Sequence, residues 1–146
     1  MFPENCYVLW DETLEAVVID PGCFYEEEKQ ALKNFIISNG LQVKHLLNTH
    51  LHLDHIFGNP FMLKEFGLKA EANQADEFWI DEAPKQSRMF GFQLPEPPSI
   101  VILSAVIMPL VPFILILPVL TVPFVPSIVT LLAPLPISTT SFNFSS

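Results

Sequence analysis

No histidine follows His55, no aspartate follows Asp81, no glycine follows Gly91 and no charge of either sign follows Glu96 in this chain of 146 residues. Basic residues are scarce and scattered: seven Lys and Arg stand against sixteen Asp and Glu, a formal charge of −9. Phosphate recognition needs clustered cations, so nucleic acid is excluded as a partner. Only two cysteines are present, Cys6 and Cys23, without C-x-x-C spacing, and that excludes a disulfide framework. No basic stretch followed by an apolar one opens the chain, so the expected compartment is the reducing cytoplasm. Long proline-free apolar runs are missing too. A membrane-spanning helix needs about 20 apolar residues, and the longest apolar stretch here without proline is the ten residues 99–108.

These absences divide the chain. Residues 1–96 hold every charge, glycine and histidine, whereas residues 97–146 are apolar and punctuated by proline. Length alone allows one small domain with a sizeable core. Between Pro95 and Pro136 several prolines lie two to six residues apart, and such spacing breaks both helices and central strands. The reading preferred for 97–146 is an out-of-frame or disordered tail that begins near residue 98. A kinked membrane insertion is the alternative.

Within the first segment, strand and helix signals alternate. Residues 5–10 and 15–20 are rich in β-branched and aromatic types and predict an antiparallel hairpin across the polar turn at Asp11, Glu12 and Thr13. Pro21 and Gly22 end it, with glycine expected to supply a positive φ. Glu26, Glu27 and Glu28 open a helix whose stripe is Ala31, Leu32, Phe35 and Ile36, stopped at Gly40. A strand over 42–47, a helix from Asn59 and Pro60 to Gly67, and a strand over 68–72 follow. Residues 76–90 are weakly helical and expected to be interrupted at Pro84. Their aromatic residues pack onto the sheet or line a pocket. The alternation predicts helices packed on a sheet, an α+β architecture.

The chemistry is concentrated between the 42–47 strand and the Asn59 helix. His50, His52, Asp54 and His55 fall within six residues in the order H-x-H-x-D-H. Imidazole and carboxylate are ligands of zinc and of non-haem iron. Two apart on extended backbone, His50 and His52 point to one side, whereas the adjacent Asp54 and His55 must diverge. His45 is read as a packed or surface residue. Cys6 reads as a buried thiol, and Cys23 as structural, with ligation the alternative.

The run from Thr49 to His55, with Asn5-Cys6-Tyr7, Ile19-Asp20-Pro21-Gly22, Leu46-Leu47-Asn48 and Gly58-Asn59, resembles the metallo-β-lactamase superfamily, particularly its glyoxalase II-like hydrolases. The resemblance covers residues 2–94. It implies an αββα sandwich of which residues 1–96 form the N-terminal half, with a further strand before the chain's first. It also implies two zinc ions, one on His50 and His52, the other on Asp54 and His55, with iron as the alternative metal. Asp54 would also act in catalysis by orienting a metal-activated hydroxide. Asp20 would lie beneath the site and hold a ligand histidine or the loop, unless it is simply a turn former. The implied reaction is hydrolysis of a thioester or related acyl compound, a small-molecule substrate.

The resemblance also implies a third histidine, a bridging aspartate and a last histidine from the C-terminal half, and this chain has none of them. Two protein ligands per ion are fewer than the three of a usual catalytic zinc site. The chain as given is therefore expected to be inactive, and the first sheet to lack its facing partner unless the apolar residues 99–124 cover it. The alternatives are a non-catalytic truncated remnant with weak metal binding or membrane association, or a relative of iron-dependent persulfide dioxygenases.

Overall fold

The computed structural model describes residues 4–91, 100–103 and 138–144. They form one six-stranded mixed sheet with helices, an α+β arrangement. The expectations for the rest of residues 97–146, the cover formed by 99–124 among them, lie outside the described residues.

Strands β1 (Glu4–Trp10) and β2 (Glu15–Ile19) make the expected antiparallel hairpin, with Val8 opposite Val18. Its turn is organised by Asp11, whose Oδ1 accepts from the Thr13 amide at 2.9 Å and the Thr13 hydroxyl at 2.6 Å. Helix α1 (Glu26–Ser38) begins where Glu28 turns back and accepts from the amides of Phe24 and Tyr25, at 2.8 and 3.0 Å. One member of the acidic run thus caps its own helix. The expected stop holds: Gly40 has φ +66.

Strand β3 (Gln42–Leu47) runs parallel to β2, and β4 (Ala70–Asn73) parallel to β3. Between them lie the short helix α2 (Leu53–Ile56) and α3 (Asn59–Phe66), which ends on Gly67. The β4 strand starts later than expected because Leu68 closes the end of α3. Its amide reaches the Met62 carbonyl at 3.5 Å, and its side chain packs on the core. Beyond residue 96, β5 (Ile100–Leu103) pairs parallel with β4 and β6 (Ser138–Phe144) antiparallel with β1, giving the order β5-β4-β3-β2-β1-β6.

Strand alternation puts one row of side chains on one face: Phe142, Cys6, Val18, Leu46, Ala70 and Ile100. Leu32 and Ile36 of α1 and Met62 of α3 pack against that row, all fully or almost fully buried. Each such side chain contributes about 1.5–3 kcal/mol relative to exposure. An ion pair between Lys33 and Glu65 ties α1 to α3. On the opposite face, Tyr7 is 42% and Val101 40% exposed.

Helix α4 (Phe78–Phe90) corrects the expected break, because it continues through Pro84. A proline inside a helix removes one backbone donor. Here the buried side of the helix compensates, since Ala83 packs with Leu53 and Phe57. A second correction concerns the turn after β2. The positive φ falls on Asp20, at 50°, and not on Gly22. Gly22 is required for space: a Cβ there would lie 2.1 Å from Glu4 Oε2 and 2.5 Å from the Asp54 carbonyl.

Candidate metal centre

The loop after β3 explains why single leucines separate the polar residues. Leu51 is fully buried and Leu53 almost so, whereas His50 and His52 are only partly buried. His52 is extended, with φ −67 and ψ 152. Alternation therefore plants the leucines in the core and turns both imidazoles outward on one side. Their rings meet edge to face at 4.5 Å, and His50 lies 4.0 Å from His55. Helix α2 separates Asp54 from His55 by about 100°, yet Asp54 Oδ2 stays 4.0 Å from His55 Nε2. Three imidazoles and one carboxylate thus share one small region.

Beneath them lies a buried polar frame. Asp20 Oδ1 accepts from the Thr49 amide at 2.8 Å, and Oδ2 from the Thr49 hydroxyl at 2.6 Å. The buried Asn48 donates to the His55 carbonyl at 3.0 Å and accepts from Asn59 at 2.8 Å. Asp20 Oδ2 also lies 3.1 Å from His55 Nδ1. The β2 turn and the histidine loop approach closely at Gly58, whose amide donates to the Pro21 carbonyl at 2.6 Å.

Glu4 is the site residue that the sequence did not disclose. It is 5% exposed, its Oε1 is 3.6 Å from His55 Nδ1, and neither carboxylate oxygen has a hydrogen-bond partner among the described residues. Glu4, Asp20 and His55 each offer a donor atom within 4.8 Å of the other two, the one such trio among the described residues. A glutamate at a strand start carries no local signal, and only the pairing of β1 with β2 brings it here.

Electrostatics follow from this packing. Burial pushes the Glu4 carboxyl up to about 8; His55 opposes that shift, and Asp20 and Asp54 add to it. For His55, burial disfavours the cation, but the carboxylates of Asp20, Glu4 and Asp54 outweigh it and raise its pKa. His50 is lowered, first by burial and then by its neighbours His55 and His52.

Two other candidates lie elsewhere. His45 pairs with Glu71 across β3 and β4, Nδ1 to Oε1 at 2.8 Å. The Cys23 thiol is fully buried in the core cluster with Cys6, and burial pushes it up to about 12, as befits packing rather than ligation.

A family model described as the metallo-beta-lactamase superfamily matches residues 1–133. Hydroxyacylglutathione hydrolase GloC of Haemophilus influenzae is 35% identical over 91 residues, which is 62% of this chain and 41% of that protein. A hydroxyacylglutathione hydrolase of Prochlorococcus marinus is 32% identical over 43% of this chain and 24% of its own length. The chain thus spans less than half the length of these curated relatives. Among solved structures, BLEG-1 B3 metallo-beta-lactamase aligns with a TM-score of 0.53 and 26% identity, over 68% of this chain and 48% of that one. TTHA1623 in a di-iron-bound form aligns with a TM-score of 0.51 and 26% identity, over 67% of this chain and 50% of that one.

Proposed function

The chain belongs to the metallo-beta-lactamase superfamily, and from that premise we propose that it carries the N-terminal half of a metal-dependent hydrolase for thioesters or related acyl compounds. The observation behind this reading is the gathering of the His50, His52 and His55 rings within 4.0–4.5 Å contacts beside Asp54. Mixed imidazole and carboxylate donors suit zinc or iron, so these residues fit the metal that the family implies. His50 and His52 would hold one ion, and Asp54 and His55 a second. Zinc is the proposed metal, and the di-iron-bound neighbour keeps iron as the alternative. A bound ion supplies Lewis acidity and lowers the pKa of water toward neutrality.

The chain's own residues do the rest. Asp54 orients the attacking water and accepts its proton, while Asp20 and Asn48 keep the loop in place through Thr49 and the His55 carbonyl. Asp20, 3.1 Å from Nδ1 of His55, favours a proton on that nitrogen and leaves Nε2 as the donor. The substrate is a small molecule.

Metal stoichiometry and turnover test the reading. About two tightly held zinc ions per chain, with thioester hydrolysis lost in Asp54→Ala, support the enzyme. Weak, sub-stoichiometric metal without turnover supports a non-catalytic remnant, which the two-donors-per-ion count favours for the chain as given. Translation of codons 90–146 in the other frames tests the tail: a glycine-flanked histidine and a later aspartate there would mark 97–146 as out of frame.

A further inference from the structure

Helix α4 does more than pack on the metal loop. Between the two lies a cavity of about 310 Å³ that includes His52 and Asp54 in its lining. Its other walls are Leu53, Phe57, Trp79, Met89, Phe90 and Gln86. Five of these six are apolar, and Met89 remains 75% exposed. The Trp79 ring stands edge to face on His52 at 4.3 Å, so the apolar wall and the candidate centre are in direct contact. The sixth, Gln86, is the exception: its Nε2 is buried, without a hydrogen-bond partner among the described residues.

We propose that this cavity holds the apolar acyl arm of the substrate. The assignment rests on the acyl-hydrolase reading above and adds a substrate class: thioesters of medium-chain or aryl acids, in preference to acetyl. Trp79, Phe57 and Met89 are then specificity residues, and the chain length that they accept is bounded by the cavity.

Binding to the metal-free full chain tests this without turnover. In a Trp10→Phe chain, where Trp79 is the remaining indole, emission is titrated with N-acetylcysteamine thioesters of acetic, butyric and hexanoic acid. Each buried methylene tightens binding by up to about fourfold. The hexanoyl thioester should therefore bind at least about tenfold tighter than the acetyl one, allowing for a half-open cavity. Met89→Glu, at an exposed helix position, should weaken the hexanoyl thioester selectively. Affinity independent of chain length, or no saturable change, would overturn the assignment. Chain-length dependence without hydrolysis on zinc addition upholds the cavity and removes the hydrolase, whereas hydrolysis without chain-length dependence does the reverse.

Discussion

Asp20 holds Thr49 by two hydrogen bonds, one from the backbone amide at 2.8 Å and one from the hydroxyl at 2.6 Å. This pair joins the turn after β2 to the first residue of the histidine loop, and it is made by a residue with φ 50. Asp20→Ala should cost about 1–3 kcal/mol of stability, because it removes the charged acceptor of two part-buried hydrogen bonds. It should also weaken metal binding about 10- to 100-fold by loosening the loop and freeing His55. Asp20→Asn tolerates the backbone conformation and keeps one acceptor, so it should fall between. Denaturant melts and competition with a zinc chelator check both; an unchanged zinc affinity in Asp20→Ala would reduce Asp20 to a turn former.

Gly58 sits where the two motifs touch. A Cβ there would lie 2.3 Å from the Pro21 carbonyl oxygen and 2.5 Å from Cys23 Sγ. Gly58→Ala should destabilise the fold by about 1–3 kcal/mol through overpacking and displace the histidine loop. Gly67 offers the contrast, since it has φ +71 and nothing within 4 Å. Gly67→Ala should cost only about 1 kcal/mol of conformational strain and leave zinc affinity unchanged. Equal effects of the two substitutions on metal binding would refute the close-approach account.

Glu4 sets a pH dependence. Its folded pKa, about 8, lies above the unfolded value of 4.5, so the folded state binds more protons between those values. Stability of the metal-free chain should therefore fall as pH rises from about 4.5 to 8, with a slope of at most one proton from this group. The raised His55 pKa acts in the same direction, with its contribution present below the unfolded value of 6.5 and lost as pH rises through the folded one. In Glu4→Gln the loss above pH 4.5 should shrink. Parallel pH–stability curves for the two proteins would count against a buried, proton-holding Glu4.

His45 provides a negative control. Its ring pairs with Glu71 and makes no ring contact with the other three histidines. His45→Ala should cost at most about 1 kcal/mol and change zinc affinity less than twofold, whereas His52→Ala should weaken it strongly. Equal losses would place His45 among the ligands.

What local sequence determined is what local physics decides. Period-two alternation placed Leu51 and Leu53 inward and His50 and His52 outward, and the apolar stripe of α1 placed Leu32 and Ile36 in the core. Cap chemistry set the ends at Gly40 and Gly67. The H-x-H-x-D-H order carried the family, because those side chains are neighbours along the chain. Tertiary structure alone decided Glu4, which is buried against His55 through the β1–β2 pairing and carries no local mark. It also put the positive φ on Asp20 rather than Gly22, and it made glycine necessary at position 22 for space, since a side chain there would strike Glu4 and the Asp54 carbonyl. It carried α4 through Pro84, because burial of Ala83 against Leu53 and Phe57 outweighs one missing hydrogen bond. Gln86 and Trp79, far from the histidines in sequence, reached the same cavity by that packing. Contacts between distant segments depend on how the layers close, and no window of neighbouring residues contains that information.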